Sequence, residues 1–175
     1  NTSSSKKIYL VGDSHLGSIM FDLKNRVVEE DYQFITSILP ACMYFPGFDL
    51  VEKNFIKTCN NDYFLKLKKI FLKEKDSIII FGGRLPVYIS NSYFNNQEGG
   101  VEGNKFSSKY MPNDDKYDSI QDSFRSEILE ISKNNKIILI YPIPAIGWDP
   151  NKKIWLDRAN KFSKNFILPE ITTSY

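Results

Sequence analysis

Histidine is nearly absent from this chain: His15 is the single imidazole among 175 residues. Cysteine is scarce as well, with Cys42 and Cys59 alone and no Cys-x-x-Cys pair. That leaves too few soft ligands for a metal site, and no metal or cofactor is expected. Charge of one sign is lacking too, since 23 basic and 21 acidic side chains leave +2. The lysines are spread rather than clustered, so a nucleic-acid partner is not expected. No apolar run approaches the length of a membrane span. A glycine-rich loop ending in lysine is missing, which argues against a phosphate-binding P-loop. The chain opens on Asn1 rather than Met, and residues 1–6 read as a polar linker. The sequence is therefore expected to be cut from something longer, and a missing leader or anchor carries no weight.

What is present is an ordinary globular composition, 42% hydrophobic and 25% charged, of a length that fits one domain over residues 7–175. Apolar runs of strand length alternate with amphipathic, helix-like stretches. Strands are expected at Lys7–Val11, Tyr32–Leu39, Ser77–Phe81 and Lys136–Tyr141, the last two fully apolar and so buried. Helices are expected from Leu16 to about Arg26, from a cap at Asp62 to about Lys75, from Ile120 to Ile131, and over 151–164. Residues 40–60 and 87–118 show no clear period and read as long loops. The alternation predicts a parallel sheet covered by helices on both faces, a three-layer α/β/α sandwich.

The organising stretch is Ile8-Tyr-Leu-Val-Gly-Asp-Ser-His15, a buried strand that breaks through a tight turn into a helix. Parallel sheets bind ligands beyond the carboxyl ends of their strands. Ser14 on that turn would present its hydroxyl there, beside the positive end of a helix dipole. The alternative is an ordinary helix cap made by Asp13 or Ser14. Gly82-Gly83-Arg84 and Pro142-Ile143-Pro144 also leave strand ends, so three loops converge on one edge. Cys42 and Cys59 share one irregular region, as a disulfide or as two free thiols.

Gly12-Asp13-Ser14 after the first strand resembles the first motif of the SGNH (GDSL-type) hydrolases. Val11-Gly-Asp-Ser-His15 is closer to the branch fused to acyltransferase-3 membrane proteins, which modify cell-surface glycans. Cys42 and Cys59, Ile78-Ile-Ile-Phe-Gly-Gly-Arg84, and Ile138-Leu-Ile-Tyr-Pro-Ile-Pro144 running into Gly147-Trp148-Asp149 are similar to that branch in the same order. The resemblance implies a flavodoxin-like sandwich and a Cys42–Cys59 disulfide bracketing the loop after the second strand. It implies an O-acyltransferase or esterase acting on acetyl or other acyl groups of surface carbohydrate. The setting would be extracytoplasmic, tethered to a membrane domain that supplies acyl groups.

Under that resemblance Ser14 is the nucleophile, and its own N–H joins the oxyanion hole. Gly12 and Asp13 support the turn, and His15 packs or hydrogen-bonds beneath it. A Ser14–His15 couple is rejected, because adjacent side chains at such a turn point apart. Where the wider family carries Gly-x-Asn-Asp, this chain has Gly82-Gly83-Arg84, so Gly83 and Arg84 are candidates for the oxyanion or a substrate anion. Arg84 as a surface ion-pairing residue is the alternative. Gly47 could stand for the family's oxyanion glycine. The family's Asp-x-x-His base is absent and no fifth strand is evident before Tyr175, so the domain is expected to be truncated at its C-terminus, short of its last strand and dyad; the alternative is a complete domain with an unassisted serine. A catalytically degenerate glycan-binding domain is therefore the rival, with Tyr88, Tyr93, Phe94, Phe106 and Tyr110 available to stack on sugars.

Overall fold

The computed structural model describes residues 6–91, 93 and 108–142. Four parallel strands form the main sheet: β1 (Lys7–Gly12), β2 (Gln33–Ile38), β5 (Ile78–Gly82) and β7 (Lys136–Leu139), in the order β2-β1-β5-β7. Strand side chains alternate between faces, and β1 uses both. Ile8 and Leu10 meet Ile80, Leu16, Leu23 and Val27 on one side. Tyr9 and Val11 meet Ile79, Phe81, Phe64, Phe71 and Ile131 on the other. The first side is covered by α1 (Ser14–Gly17) and α2 (Met20–Glu29), the second by α3 (Asn61–Lys73) and α5 (Ile120–Ile131). This is the α/β/α sandwich that the apolar strands predict.

Boundaries moved where local chemistry outweighed periodicity. The single helix expected from Leu16 to Arg26 is two, broken at Ser18–Ile19. The third helix is capped by Asn60, whose side chain accepts from Tyr63 N, rather than by Asp62. Ser119 caps α5 by accepting from Asp122 N while its hydroxyl donates to the Asp122 carboxylate. The expected buried strand at 136–141 ends at Leu139 and is largely exposed, because it lies on the edge of the described sheet.

The larger correction concerns the two presumed loops. Residues 40–60 hold β3 (Phe48–Glu52) and β4 (Phe55–Ile56), and 87–118 hold β6 (Ser108–Pro112). With α4 (Leu85–Ser90) these complete the elements described. The three strands make a second, antiparallel sheet in the order β4-β3-β6. Its central ladder pairs Phe48 with Pro112 and Glu52 with Ser108, partners far apart in sequence that no local period announces. Cys42 and Cys59 are disulfide-bonded, with Cα atoms 5.7 Å apart, and bracket the β3–β4 hairpin.

One buried charge braces the two helices of the second face. Glu127 of α5 is fully buried and receives Lys68 of α3 at 2.8 Å, Lys116 at 3.1 Å and the Tyr117 hydroxyl. Burial opposes ionisation of Glu127, but the hydrogen bonds from Lys68, Tyr117 and Lys116 outweigh it and hold the carboxyl below its ordinary range. The linker at 1–5, the helix expected at 151–164, Pro144 and Gly147–Asp149 lie outside the described residues.

Candidate active site

The close approach of two strand ends builds the site. A Cβ on Gly12 would stand 2.0 Å from the Gly82 carbonyl oxygen, so only glycine lets β1 and β5 finish side by side. The next residue, Asp13, is buried and caps α1. Its Oδ1 accepts the His15 backbone N–H at 2.8 Å. Its Oδ2 accepts the Arg84 backbone N–H at 2.8 Å and the Tyr88 hydroxyl at 2.6 Å. One carboxylate thus ties the turn after β1 to the turn after β5 and to α4. Burial, then the Asp13 charge, pushes the Tyr88 phenol far up, so it stays a donor.

Gly83 completes this clamp. It has φ +146°, and a Cβ there would stand 2.8 Å from the Asp13 carboxylate and 2.6 Å from Met43 Sδ. Met43 follows the disulfide-bonded Cys42, and its backbone N–H donates to the Tyr110 hydroxyl at 2.8 Å. The disulfide segment therefore abuts the same turn as Asp13. Ser14 sits outside the clamp. It is the first residue of α1, is exposed, and no described side chain hydrogen-bonds its hydroxyl.

The structure brings Gly12, Asp13, Ser14, His15, Gly83 and Arg84 to the carboxyl edge of one sheet. His15 is half-buried and lines a cleft of about 40 Å³ with Ile19, Gly83, Ile140 and Tyr141. Arg84 is tied to the Ser14 turn through its backbone N–H, while its guanidinium lies 5.0 Å from the Tyr93 ring centre. Gly47 is not part of this group. Its N–H donates to Asn61 Oδ1 at 2.8 Å, at the start of the second sheet, and is committed there.

Two of the aromatic residues considered for sugar stacking are spent on structure. Tyr88 is buried on Asp13, and Tyr110 packs edge-on to Phe45 and Tyr88 with its hydroxyl on Met43. Phe94 and Phe106 lie outside the described residues. Met43 is a site residue that sequence reasoning missed, and Tyr88 was considered only for stacking, not as the donor to Asp13. A signal for Tyr88 existed: Pro86 at the start of a helix, two residues after the strand-end Gly82-Gly83-Arg84 turn, marks residue 88 as lying in the first turns of a helix that starts at that edge.

Two hollows lie at opposite ends of the strands. The larger, about 630 Å³, is at the amino ends between Lys6, Asp76 and Lys136, away from Ser14. The other, about 200 Å³ and apolar, adjoins Gly83. No group of three metal-ligating side chains occurs among the described residues.

A parallel sandwich with a Gly-Asp-Ser turn at its carboxyl edge defines the SGNH class of α/β domains. The chain belongs to the family described as the SGNH domain fused to AT3 domains, whose model matches residues 1–173. No curated protein and no solved structure matches it. No helix among the described residues is long and apolar enough to cross a membrane.

Proposed function

We propose that this is the SGNH domain of an O-acyltransferase or esterase acting on acyl groups of cell-surface carbohydrate, with Ser14 as nucleophile. The observation that carries this reading is the division of labour between neighbours. Asp13 turns inward and fixes the loop, and Ser14 is left exposed at the carboxyl edge, with no described side chain on its hydroxyl. In the first half-reaction Ser14 Oγ bonds to the acyl carbon of an ester or thioester. The bond to the donor's oxygen or sulfur breaks, and the Oγ proton passes to that leaving group. In the second, a sugar hydroxyl or water takes the acyl group and returns a proton to Ser14. Family fusion to AT3 domains supports a membrane-tethered, extracytoplasmic setting in which the membrane part supplies the acyl group.

Arg84 binds substrate anion or oxyanion in this reading, with Gly83 and the Ser14 N–H beside it. The test is Ser14→Ala in the protein that carries this domain, read as acyl-methyl signals in the proton NMR spectrum of surface glycan. Loss of those signals is expected. The second reading is glycan binding without chemistry. Undiminished acylation in Ser14→Ala would support it and remove Ser14 as nucleophile.

A further inference from the structure

The apolar hollow beside Gly83 is walled by Met43, Phe81, Leu85, Phe124 and Leu139, and no charged side chain lines it among the described residues. It lies on the α5 side of the β5 and β7 ends. The cleft that contains His15 lies on the α1 side of the same ends. Gly83, Ile140 and Tyr141 border both, so the two spaces flank one strand end, next to the Asp13 clamp. Exposed Leu139 and Tyr141 extend the apolar surface at the rim, and Ile19 lines the cleft on the α1 side. A sugar would find almost no hydrogen-bonding side chain in such a space, and a carboxylate or phosphate would find no cation. A hydrocarbon chain suits it.

We propose that this hollow is the acyl-chain site of the domain, and that the acyl group handled is longer than acetyl. The proposal rests on the reading of Ser14 as nucleophile and adds the chemistry of what Ser14 would carry. An apolar cavity of about 150 Å³ takes a six-carbon ring, so one near 200 Å³ takes a chain of about four to eight carbons. With its carbonyl at the Ser14–Gly83 edge, such a chain runs past Gly83 toward Phe124. Glycine at 83 matters here because any side chain would meet Met43 and Asp13, which fill the space beside it.

Binding of simple methyl esters to the 175-residue chain tests this without requiring turnover. Titrations followed by amide NMR compare methyl acetate, butyrate and hexanoate. Each buried methylene raises affinity about fourfold, so hexanoate, with four more, is expected to bind roughly 250-fold more tightly than acetate. Its shifts should centre on Gly82, Gly83 and Leu139. Leu85→Trp fills the hollow and should erase the preference; Leu85→Phe reads the same effect should the larger ring prevent folding. Equal affinity for acetate and hexanoate, or shifts confined to the hollow by Lys6 and Lys136, would overturn the proposal. Ser14→Ala should leave these shifts in place. Intact hexanoate binding with unimpaired glycan acylation in Ser14→Ala would therefore sink the nucleophile and spare the acyl site.

Discussion

The Tyr88 hydroxyl donates to Asp13 Oδ2 at 2.6 Å across 75 positions of sequence. Through that bond α4 holds down the turn on which Ser14 is displayed, and the Arg84 N–H on the same oxygen adds a second tie. Preorganisation of a nucleophile needs such support, because a serine on a loose turn loses its alignment with oxyanion donors.

Tyr88→Phe removes one donor from a buried carboxylate and leaves the ring packing intact. Hydrogen bonds to charged groups contribute about 1.5–3 kcal/mol, so urea denaturation should show a loss in that range. Asp13→Asn should cost at least as much, because its amide cannot accept at both of the positions the carboxylate oxygens fill. An unchanged midpoint in both variants would remove the clamp from the account.

Gly83→Ala should be more damaging than its single methyl suggests. The backbone is at φ +146° and the new Cβ would meet both Met43 Sδ and the Asp13 carboxylate. A loss of about 2 kcal/mol or more is expected from the strain and the displaced contacts. Full stability in thermal melts would show that the turn relaxes freely.

Reduction should reach the site through Met43. The Cys42–Cys59 link closes a separation of 17 residues, for which chain entropy predicts about 3 kcal/mol. Dithiothreitol, or Cys42→Ser with Cys59→Ser, should lower the urea midpoint accordingly. The amide signals of Gly83 and Arg84 should shift as well, since Met43 packs on Gly83. Shifts limited to β3 and β4 would separate the disulfide from the site.

Stability should fall on the acid side because of Glu127. Its carboxyl is held below the ordinary 4.5 in the folded state, so the unfolded state binds the proton first. The contribution is complete above that ordinary value and is lost as pH falls through the lower folded value. Glu127→Gln should flatten the pH dependence of the melting temperature below about pH 4.5. It should also cost about 3 kcal/mol at pH 7, the range for breaking a buried pair. A variant melting curve that keeps the full acid slope would assign that slope to other carboxylates.

Parallel strands were legible because Ile78–Phe81 and Ile8–Val11 are continuous apolar runs, a signal confined to a few adjacent letters. The turn glycines and Asp13 were legible for the same local reason. The antiparallel sheet was not, since Phe48 and Pro112 are paired only by the folded chain. The site divides along the same line. Ser14, Gly83 and Arg84 sit on strand ends that sequence could place, whereas Tyr88 and Met43 enter through contacts spanning dozens of residues. Gly47 shows the converse: a positive-φ glycine in a loop invites an oxyanion role, yet its N–H answers a side chain, Asn61, that periodicity cannot position.

The last prediction concerns the missing base. His15 is the one imidazole of the chain, and it follows Ser14 directly, donating its backbone N–H to Asp13. Adjacent side chains at a turn into a helix point apart, so the ring is not expected to oppose the Ser14 hydroxyl in the way a triad requires. Without an imidazole opposite it the hydroxyl stays protonated at neutral pH and attacks slowly. Oxyanion donors alone leave a residue of catalysis, orders of magnitude below an assisted serine. The 175-residue chain should therefore hydrolyse p-nitrophenyl acetate close to the blank rate, and Ser14→Ala should change little. His15→Ala should change it no more than that. A high rate that Ser14→Ala abolishes and His15→Ala suppresses, with a bell or step near pH 6.5, would place the base on His15 and overturn this assignment.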